Sequence, residues 1–443
     1  MLLAAGTFLL YSRNGSQPRS IFRCSESRVP SAGSIARLCP IRQGGSMRDI
    51  AVVGGGPAGA MCGERLARAG YAVTIYDEHL AWEKPCGGGL THKAIQAYPF
   101  LLNGPYPKKL IRTVELISSK GHRAHLSLDQ PIVIYSRTVL NGLLLERAEA
   151  AGCRVVRSRV NQIDTAGTRA SLAIGDARVE TDFVVIAAGA RNSLLPNTRP
   201  LSRGDLEMTL GYFVPAQAEG IQVKFLRRFE GYIWSFPRCD HLSVGICGSM
   251  ARHTSQELRR HLHTFMAEEK ISREGATFYS HVLPSPQRQT LSARRVVGSN
   301  WALVGDAAAW VDPITGEGLY YALRSGDLLA ESLIAGRASE YPARIRKAFS
   351  ADLEFATRIA RRFYRGNFLG GAVATRMIQF IERSPTFRAL MGDVFGGAQD
   401  YCSLKRRLWA QCGTTLTEVV GSLIKSRPSL AKSASPAGTE NLP

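Results

Sequence analysis

The stretch Asp49-Ile50-Ala51-Val52-Val53-Gly54-Gly55-Gly56-Pro57-Ala58-Gly59 decides the fold. Asp49–Val53 is a short apolar run of the kind that forms a buried strand. The glycines stop it, and a helical pattern follows through Ala69, where Gly70 stands as a C-cap would. Residues 72–76 read as a second strand, closed by Asp77. Strand, glycine turn, helix and strand together are the context that gives Gly54-x-Gly56-x-x-Gly59 a meaning. Gly54 permits a tight turn, Gly56 lets backbone approach a pyrophosphate, and Gly59 lets the helix pack closely on the strand. Pro57 and Ala58 open the helix, whose free N–H groups and positive dipole end attract phosphate. Asp77, 18 residues past Gly59, is placed to accept hydrogen bonds from a ribose. A glycine turn alone occurs in many α/β proteins; the flanking strands and the acid make this one a dinucleotide site.

About 250 residues further on stands Gly305-Asp306-Ala307-Ala308, then Asp312-Pro313-x-x-Gly316-x-Gly318 and a helical pattern to about residue 334. A carboxylate at a strand end, here Asp306 after residues 302–304, can hydrogen-bond a chain of sugar-like hydroxyls. Gly316 and Gly318 let backbone lie against a flat ring, and the helix N-terminus behind Gly318 would stabilise negative charge on it. Taken alone, an Asp after a strand is commonly a cap; the upstream glycine motif gives this one a cofactor role.

The rest of the chain fills in around these two motifs. Residues 137–151 read as a helix, and 154–160, 170–174 and 183–187 as strands. Residues 208–214, 222–226, 232–236 and 242–247 alternate as strands of an antiparallel sheet with one covered face do. Residues 255–268 form a polar helix, 342–425 are mostly helical, and the Ser/Pro/Ala-rich stretch from Ser426 reads as disordered. The fold class is α/β: a Rossmann-like nucleotide-binding domain, an antiparallel-sheet substrate domain and a helical C-terminal region.

The 443 residues are 45% hydrophobic and 21% charged, which suits a globular protein with a large core that needs no metal or disulfide staples. No run of ~18 apolar residues marks a membrane-spanning helix. The nine cysteines are scattered without a CxxC pair, as expected in a reducing compartment, and no metal site is predicted. The net charge is +20, of which residues 1–46 supply +5 through six Arg and the single acid Glu26. Such a balance favours anionic partners, and without a nucleic-acid motif these are phosphorylated substrates or anionic lipid rather than nucleic acid. Residues 1–46 are Arg/Ser-rich and acid-poor like an organelle transit peptide. Met47, two residues before the first strand, is alternatively the true start. The expected location is cytoplasmic, with membrane association, or an organelle if the extension is a transit peptide.

Residues 52–59 and the stretch from Leu303 to Ala330 resemble the FAD-binding motifs of aromatic-hydroxylase-like flavoproteins. Three further segments are similar to the geranylgeranyl reductase family within that fold. They are Lys84-Pro85-Cys86-Gly87-Gly88-Gly89-Leu90, Gly231-Tyr232-Ile233-Trp234-Ser235-Phe236-Pro237, and residues 401–408, so the resemblance spans roughly 49–410. It implies an FAD domain assembled from residues 47–105, 131–200 and 290–340. A substrate domain would comprise 106–130 and 201–289, and a helical region 341–425, between the extension 1–46 and the tail 426–443. Gly54, Gly56, Pro57, Ala58, Gly59 and Asp77 would hold the ADP half of FAD, and Arg137 would reach the phosphate or flavin side. Gly305 and Asp306 would meet the ribityl chain and pyrophosphate, with Gly316 and Gly318 beside the isoalloxazine. Ala188 stands where many relatives carry Asp. The implied reaction is reduction of isolated double bonds in a prenyl lipid, with NAD(P)H or reduced ferredoxin as electron donor.

Within that reading Cys86, Tyr232 and Trp234 are the candidate catalytic residues. A free cysteine is commonly a small buried hydrophobe; a glycine-rich loop would instead leave Cys86 mobile and reachable, able to touch substrate or give up a proton. Tyr232, Trp234 and Phe236 share one strand face, either as core or as the wall of an apolar pocket. His92 and Lys93 read as ordinary helix residues. Lys405-Arg406-Arg407 with Leu404, Leu408 and Trp409 forms either a solvated helix face or a contact with anionic lipid. Two other functions compete: a flavin monooxygenase or halogenase, since Gly-Tyr-x-Trp-x-Phe-Pro at 231–237 is close to the Gly-Trp-x-Trp-x-Ile-Pro of flavin-dependent halogenases, which need a lysine beside a tunnel, and an electron-transfer flavoprotein feeding a quinone pool.

Overall fold

A computed structural model describes residues 48–190, 193–194 and 200–425. The expectations for 1–46, for Met47 as the start, for 191–192 and 195–199 within the FAD piece 131–200, and for 426–443 lie outside the described residues. In chain order, β1 (Asp49–Val53), α1 (Pro57–Arg68) and β2 (Ala72–Asp77) come first. The short β3 (Gly89–Leu90) precedes a hairpin of β4 (Lys109–Ile117) and β5 (Arg123–Ile134), then α2 (Arg137–Ala150) and β6 (Arg154–Arg157). β7 (Gln162–Asp164), β8 (Ala170–Ile174) and β9 (Ala177–Thr181) form a meander ahead of β10 (Phe183–Ile186). β11 (Leu206–Val214), β12 (Ile221–Phe225), β13 (Gly231–Pro237), β14 (Leu242–Ser249), α3 (Ser255–Glu268) and β15 (Thr277–Pro284) follow. β16 (Trp301–Leu303) leads into α4 (Leu319–Ile334). The C-terminal region holds α5 (Ala351–Arg365), the hairpin β17 (Asn367–Phe368) and β18 (Gly371–Ala372), α6 (Val373–Arg383), α7 (Pro385–Gly396) and α8 (Tyr401–Lys425).

The first sheet is five-stranded and parallel, in the order β16-β10-β1-β2-β6. Its central strands are apolar on both faces because both are covered, by helices such as α1 and by the β7–β9 meander, whose Ile163, Ala170 and Leu172 join the same core; Ile50, Val52, Ile75, Phe183 and Ile186 are fully buried. α1 lies so close to its sheet that a Cβ on Gly59 would sit 2.0 Å from the Gly54 carbonyl oxygen. Only glycine allows this approach, as the sequence spacing predicts.

The second sheet has eight strands in the order β15-β11-β14-β13-β12-β4-β5-β3, antiparallel except where β12 meets β4. It crosses the boundaries expected from sequence: β5 runs through residues 130 and 131, and β3 lies inside the first FAD piece. The burial along β5 explains this. Residues 123–128 alternate exposed and buried, whereas Ile132, Val133 and Ile134 are all buried. The strand thus starts on a half-covered sheet and ends in the seam with the nucleotide-binding half.

The two faces of this sheet do different work. Leu210, Ile246 and Ile233 pair side by side and pack under Leu258, Leu262 and Phe265 of α3. The alternate residues, Thr209, Cys247 and Tyr232, face the other way. At the far end, Ile378, Ile381, Leu390 and Met391 of α6 and α7 pack on β4, β5 and β12.

Candidate functional site

The β1–α1 turn, the end of β10, the β16–α4 loop and the inner face of the second sheet line one cavity of about 1260 Å³. Single-ligand pockets are typically about 300–1,000 Å³, so this one has room for a cofactor and a second molecule.

At one end the structure brings together Gly54, Gly56, Pro57, Ala58 and Asp77. A Cβ on Gly56 would meet nothing within 4 Å, so backbone there is open to the cavity. Asp77 accepts the Gly55 N–H at 2.6 Å and the His79 N–H at 2.8 Å, which orients its carboxylate over the turn. The N-terminus of α1 carries no side-chain cap, and neither does that of α4 behind Gly318. Two uncapped helix ends on one cavity form a ready anion site.

Asp306 pairs with Lys84 at 3.0 Å. Burial would raise its carboxyl, but Lys84, and Arg137 behind it, outweigh this and hold it below the usual carboxylate value. Arg137 is buried, with Nη2 donating to Asn141 Oδ1 at 3.1 Å and Nη1 to Cys86 Sγ at 3.5 Å. Its Nε has no partner among the described residues, a buried donor awaiting an acceptor. These features fit FAD: two free helix ends and Arg137 for phosphate, and an acid for the ribityl hydroxyls.

The Cys86 loop, despite its glycines, is tied to its surroundings at the Cys86 carbonyl. Arg238, fully buried, donates from Nη2 to the Cys86 carbonyl at 2.6 Å and pairs through Nη1 with Glu83. Ser243 Oγ donates to the same carbonyl at 2.9 Å. Glu83 also accepts from Ser136 Oγ at 2.8 Å and from the N–H groups of Arg137 and Thr138 at 2.9 and 3.1 Å, capping α2. Burial favours a neutral Glu83, yet Arg238 and these donors keep its carboxyl below the ordinary value. A buried guanidinium must find acceptors, and those it finds here belong to the loop. Cys86 itself is half-buried, on the cavity wall.

Across the cavity the second sheet presents two rows of paired residues. One is Phe225, Tyr232, Cys247, Thr209 and His281; the other is Val223, Trp234, Gly245, Gly211 and Tyr279. Gly245 creates the space for Trp234, since a Cβ there would lie 2.4 Å from the indole Cζ2 and 2.7 Å from the Tyr279 hydroxyl. Trp234 and Thr209 are buried, and the indole Nε1 and Thr209 Oγ1 have no hydrogen-bond partner among the described residues. Beside Cys247 sits Glu207, whose carboxyl burial pushes up to about 7.

The loop around Gly316 is held by three tyrosines from different elements. Tyr232 donates to the Thr315 carbonyl, Tyr364 of α5 to the Ile314 carbonyl, and Tyr401 of α8 to Asp312 Oδ2 at 2.8 Å. Burial drives the Tyr232 hydroxyl well above its ordinary value, so it stays protonated. Lys93 departs from the ordinary helix residue expected of it. It lies on the cavity wall, 2.6 Å from Glu317; burial lowers its ammonium, but Glu317, Tyr321 and Asp312 together raise it by more. Glu83, Arg238, Thr209, Glu207, Tyr364 and Tyr401 escaped the sequence reading because strand pairing and helix docking bring them in. The buried Arg238, next to the recognised aromatic segment, is the one local signal that pointed to the loop.

Fold and site together define an FAD-dependent oxidoreductase. Residues 48–228 match the family described as pyridine nucleotide-disulphide oxidoreductase. A geranylgeranyl diphosphate reductase of Oryza sativa is 28% identical over 326 residues, 66% of this chain and 67% of that one. A menaquinone reductase of Mycobacterium tuberculosis is 30% identical over 316 residues, 64% of this chain and 76% of that one. A geranylgeranyl bacteriochlorophyll reductase-like protein of Thermoplasma acidophilum shares the fold, with a TM-score of 0.66 at 19% identity over 82% of this chain and 100% of that one. The chain belongs to the geranylgeranyl reductase family.

Proposed function

We propose that the protein reduces isolated double bonds of a prenyl lipid, with electrons from NAD(P)H or a reduced ferredoxin. The observation that carries this reading is the pairing, in one cavity, of the glycine turns with the Phe225–Tyr232 and Val223–Trp234 rows. In this reading Gly54, Gly56, Pro57, Ala58, Gly59 and Asp77 hold the ADP half of the cofactor. Arg137, Gly305, Asp306, Gly316 and Gly318 hold its flavin half. FAD bound there, once reduced by that donor, would supply the hydride.

The chain's own residues then do three things. Phe225, Trp234 and Val223 take the apolar chain and exclude water. Tyr232, tied to Thr315, fixes the distance between this wall and the Gly316 loop. Cys86 gives its thiol proton to the alkene carbon that does not take the hydride, leaving a thiolate against the Arg137 guanidinium. Cys86 suits this role better than Tyr232, whose hydroxyl hydrogen is already engaged. The Oryza relative is named for reduction of geranylgeranyl diphosphate, in keeping with such a substrate.

The test is anaerobic reoxidation of the reduced protein by a geranylgeranyl lipid. Rapid bleaching and return of the oxidised absorbance, with no oxygen present, supports the reading. Reoxidation that requires oxygen supports a monooxygenase or halogenase instead. Both lysines on the cavity wall are engaged in ion pairs, Lys84 with Asp306 and Lys93 with Glu317. Neither is a free ammonium of the kind the halogenase reading needs.

A further inference from the structure

The helix α8 has two apolar faces, and among the described residues only one is packed. On the packed face Tyr401 and Thr415 are buried, Leu404 rests on the sheet core, and Arg407 pairs with Asp393 at 2.6 Å. Glu418 accepts from the Thr386 hydroxyl at 2.8 Å and its N–H at 3.2 Å. On the other face Trp409, Leu416, Val420, Leu423 and Ile424 stand in solvent, with Trp409 72% and Ile424 67% exposed. Their spacing puts them on one side of the helix, a stripe roughly 22 Å long. Large apolar residues left exposed in such a row mark a contact surface. The sequence reading left residues 404–409 as either a solvated face or a lipid contact; the structure packs Leu404 inward and extends the exposed face to Ile424.

We infer that this stripe docks on the surface of an anionic lipid bilayer. Charge complementarity selects that occupant. Lys405 and Arg406 are exposed at the start of the stripe, and residues 341–425 hold fourteen Lys and Arg against six Asp and Glu. A second copy of the chain would bring two such positive surfaces together. Residues 426–443 contain two large apolar side chains, Leu430 and Leu442, too few to cover the stripe. A helix lying in the interface with an indole and aliphatic side chains inserted and cations at the headgroups satisfies both features. The helix begins at Tyr401, on the wall of the cavity, so docking brings the bilayer to the same part of the molecule. The docking stands on this surface alone; that it delivers the substrate rests on the prenyl-lipid reading.

The experiment is co-sedimentation of the full FAD-loaded chain with vesicles of phosphatidylcholine plus phosphatidylglycerol, or of phosphatidylcholine alone. The protein should pellet with the anionic vesicles, less in high salt, and weakly with the neutral ones. The quadruple variant Trp409→Gln, Leu416→Gln, Val420→Gln, Ile424→Gln should bind at least roughly tenfold more weakly. Its FAD absorbance should be unchanged. The single exposed-site variant Trp409→Gln, which leaves the packed face intact, should show a smaller loss in the same direction. Wild-type protein that stays in the supernatant, or a quadruple variant that pellets equally, overturns the inference. So does a wild-type dimer without vesicle binding that the quadruple variant converts to a monomer. No substrate enters this assay, so its failure leaves the reduction reading to its own test.

Discussion

Gly245→Ala tests whether the Trp234 wall is the substrate surface. In the structure the added Cβ would lie 2.4 Å from Trp234 Cζ2, where ordinary contact begins near 3.4 Å. The backbone oxygens and sheet partners around β14 cannot retreat, because Gly245 is paired on both sides, with Gly211 and Trp234. The indole must therefore move by about 1 Å, and the open direction is into the cavity. Overpacking of this kind costs about 1–3 kcal/mol of stability, a modest loss for a protein of this size. Its effect on chemistry should be larger: displacing a reacting group by about 1 Å costs on the order of 10²-fold in rate. The cofactor groups lie on the opposite wall, so FAD affinity should change less than twofold. The assay is anaerobic stopped-flow reoxidation by the prenyl lipid, beside FAD titration by fluorescence. A variant that reoxidises at the wild-type rate, or that loses FAD instead, refutes the assignment of this wall to substrate.

Two further outcomes follow from the site's charges. Asp306→Ala removes the partner of Lys84 and a half-buried acceptor, worth about 1–3 kcal/mol, and FAD titration should show affinity falling several-fold or more. Glu207 should make stability depend on pH. Its carboxyl rises from 4.5 to about 7 on folding, so its contribution is complete below pH 4.5 and is lost as pH rises through 7. The loss is on the order of 3 kcal/mol. Thermal melts from pH 5 to 8 should show wild type falling relative to Glu207→Gln; parallel curves would contradict this.

What was legible in the sequence is what is encoded locally. The glycines of 54–59, the strands beside them and Asp77 lie within one βαβ unit, so periodicity and spacing suffice to read them. Asp306, Gly316 and Gly318 were legible for the same reason. The alternation of Tyr232, Trp234 and Phe236 likewise put them on one face without saying what that face looks at. The rest depends on pairing across long distances. Thr209, Cys247 and His281 join Tyr232 only because β15, β11, β14 and β13 lie side by side. Glycines at 87–89 suggest a loose loop, and it takes Arg238, on the far side of the second sheet's sequence, to pin it. Tyr364 and Tyr401 reach the Gly316 loop from helices whose patterns reveal amphipathicity but not their docking. The stripe on α8 was legible only in its charged first turns, because its exposure depends on which face packs.

The most direct test of the central claim is mass analysis of the lipid after anaerobic turnover. The FAD-loaded protein is given dithionite as reductant and a geranylgeranyl lipid in detergent. Reduction of isolated double bonds predicts products heavier by two hydrogens for each bond reduced, and two solvent deuteriums per bond in heavy water, because dithionite supplies electrons only and both the hydride and the proton from a thiol such as that of Cys86 are drawn from exchangeable positions. Unchanged lipid under these conditions, with turnover appearing only when oxygen is admitted, would contradict the account.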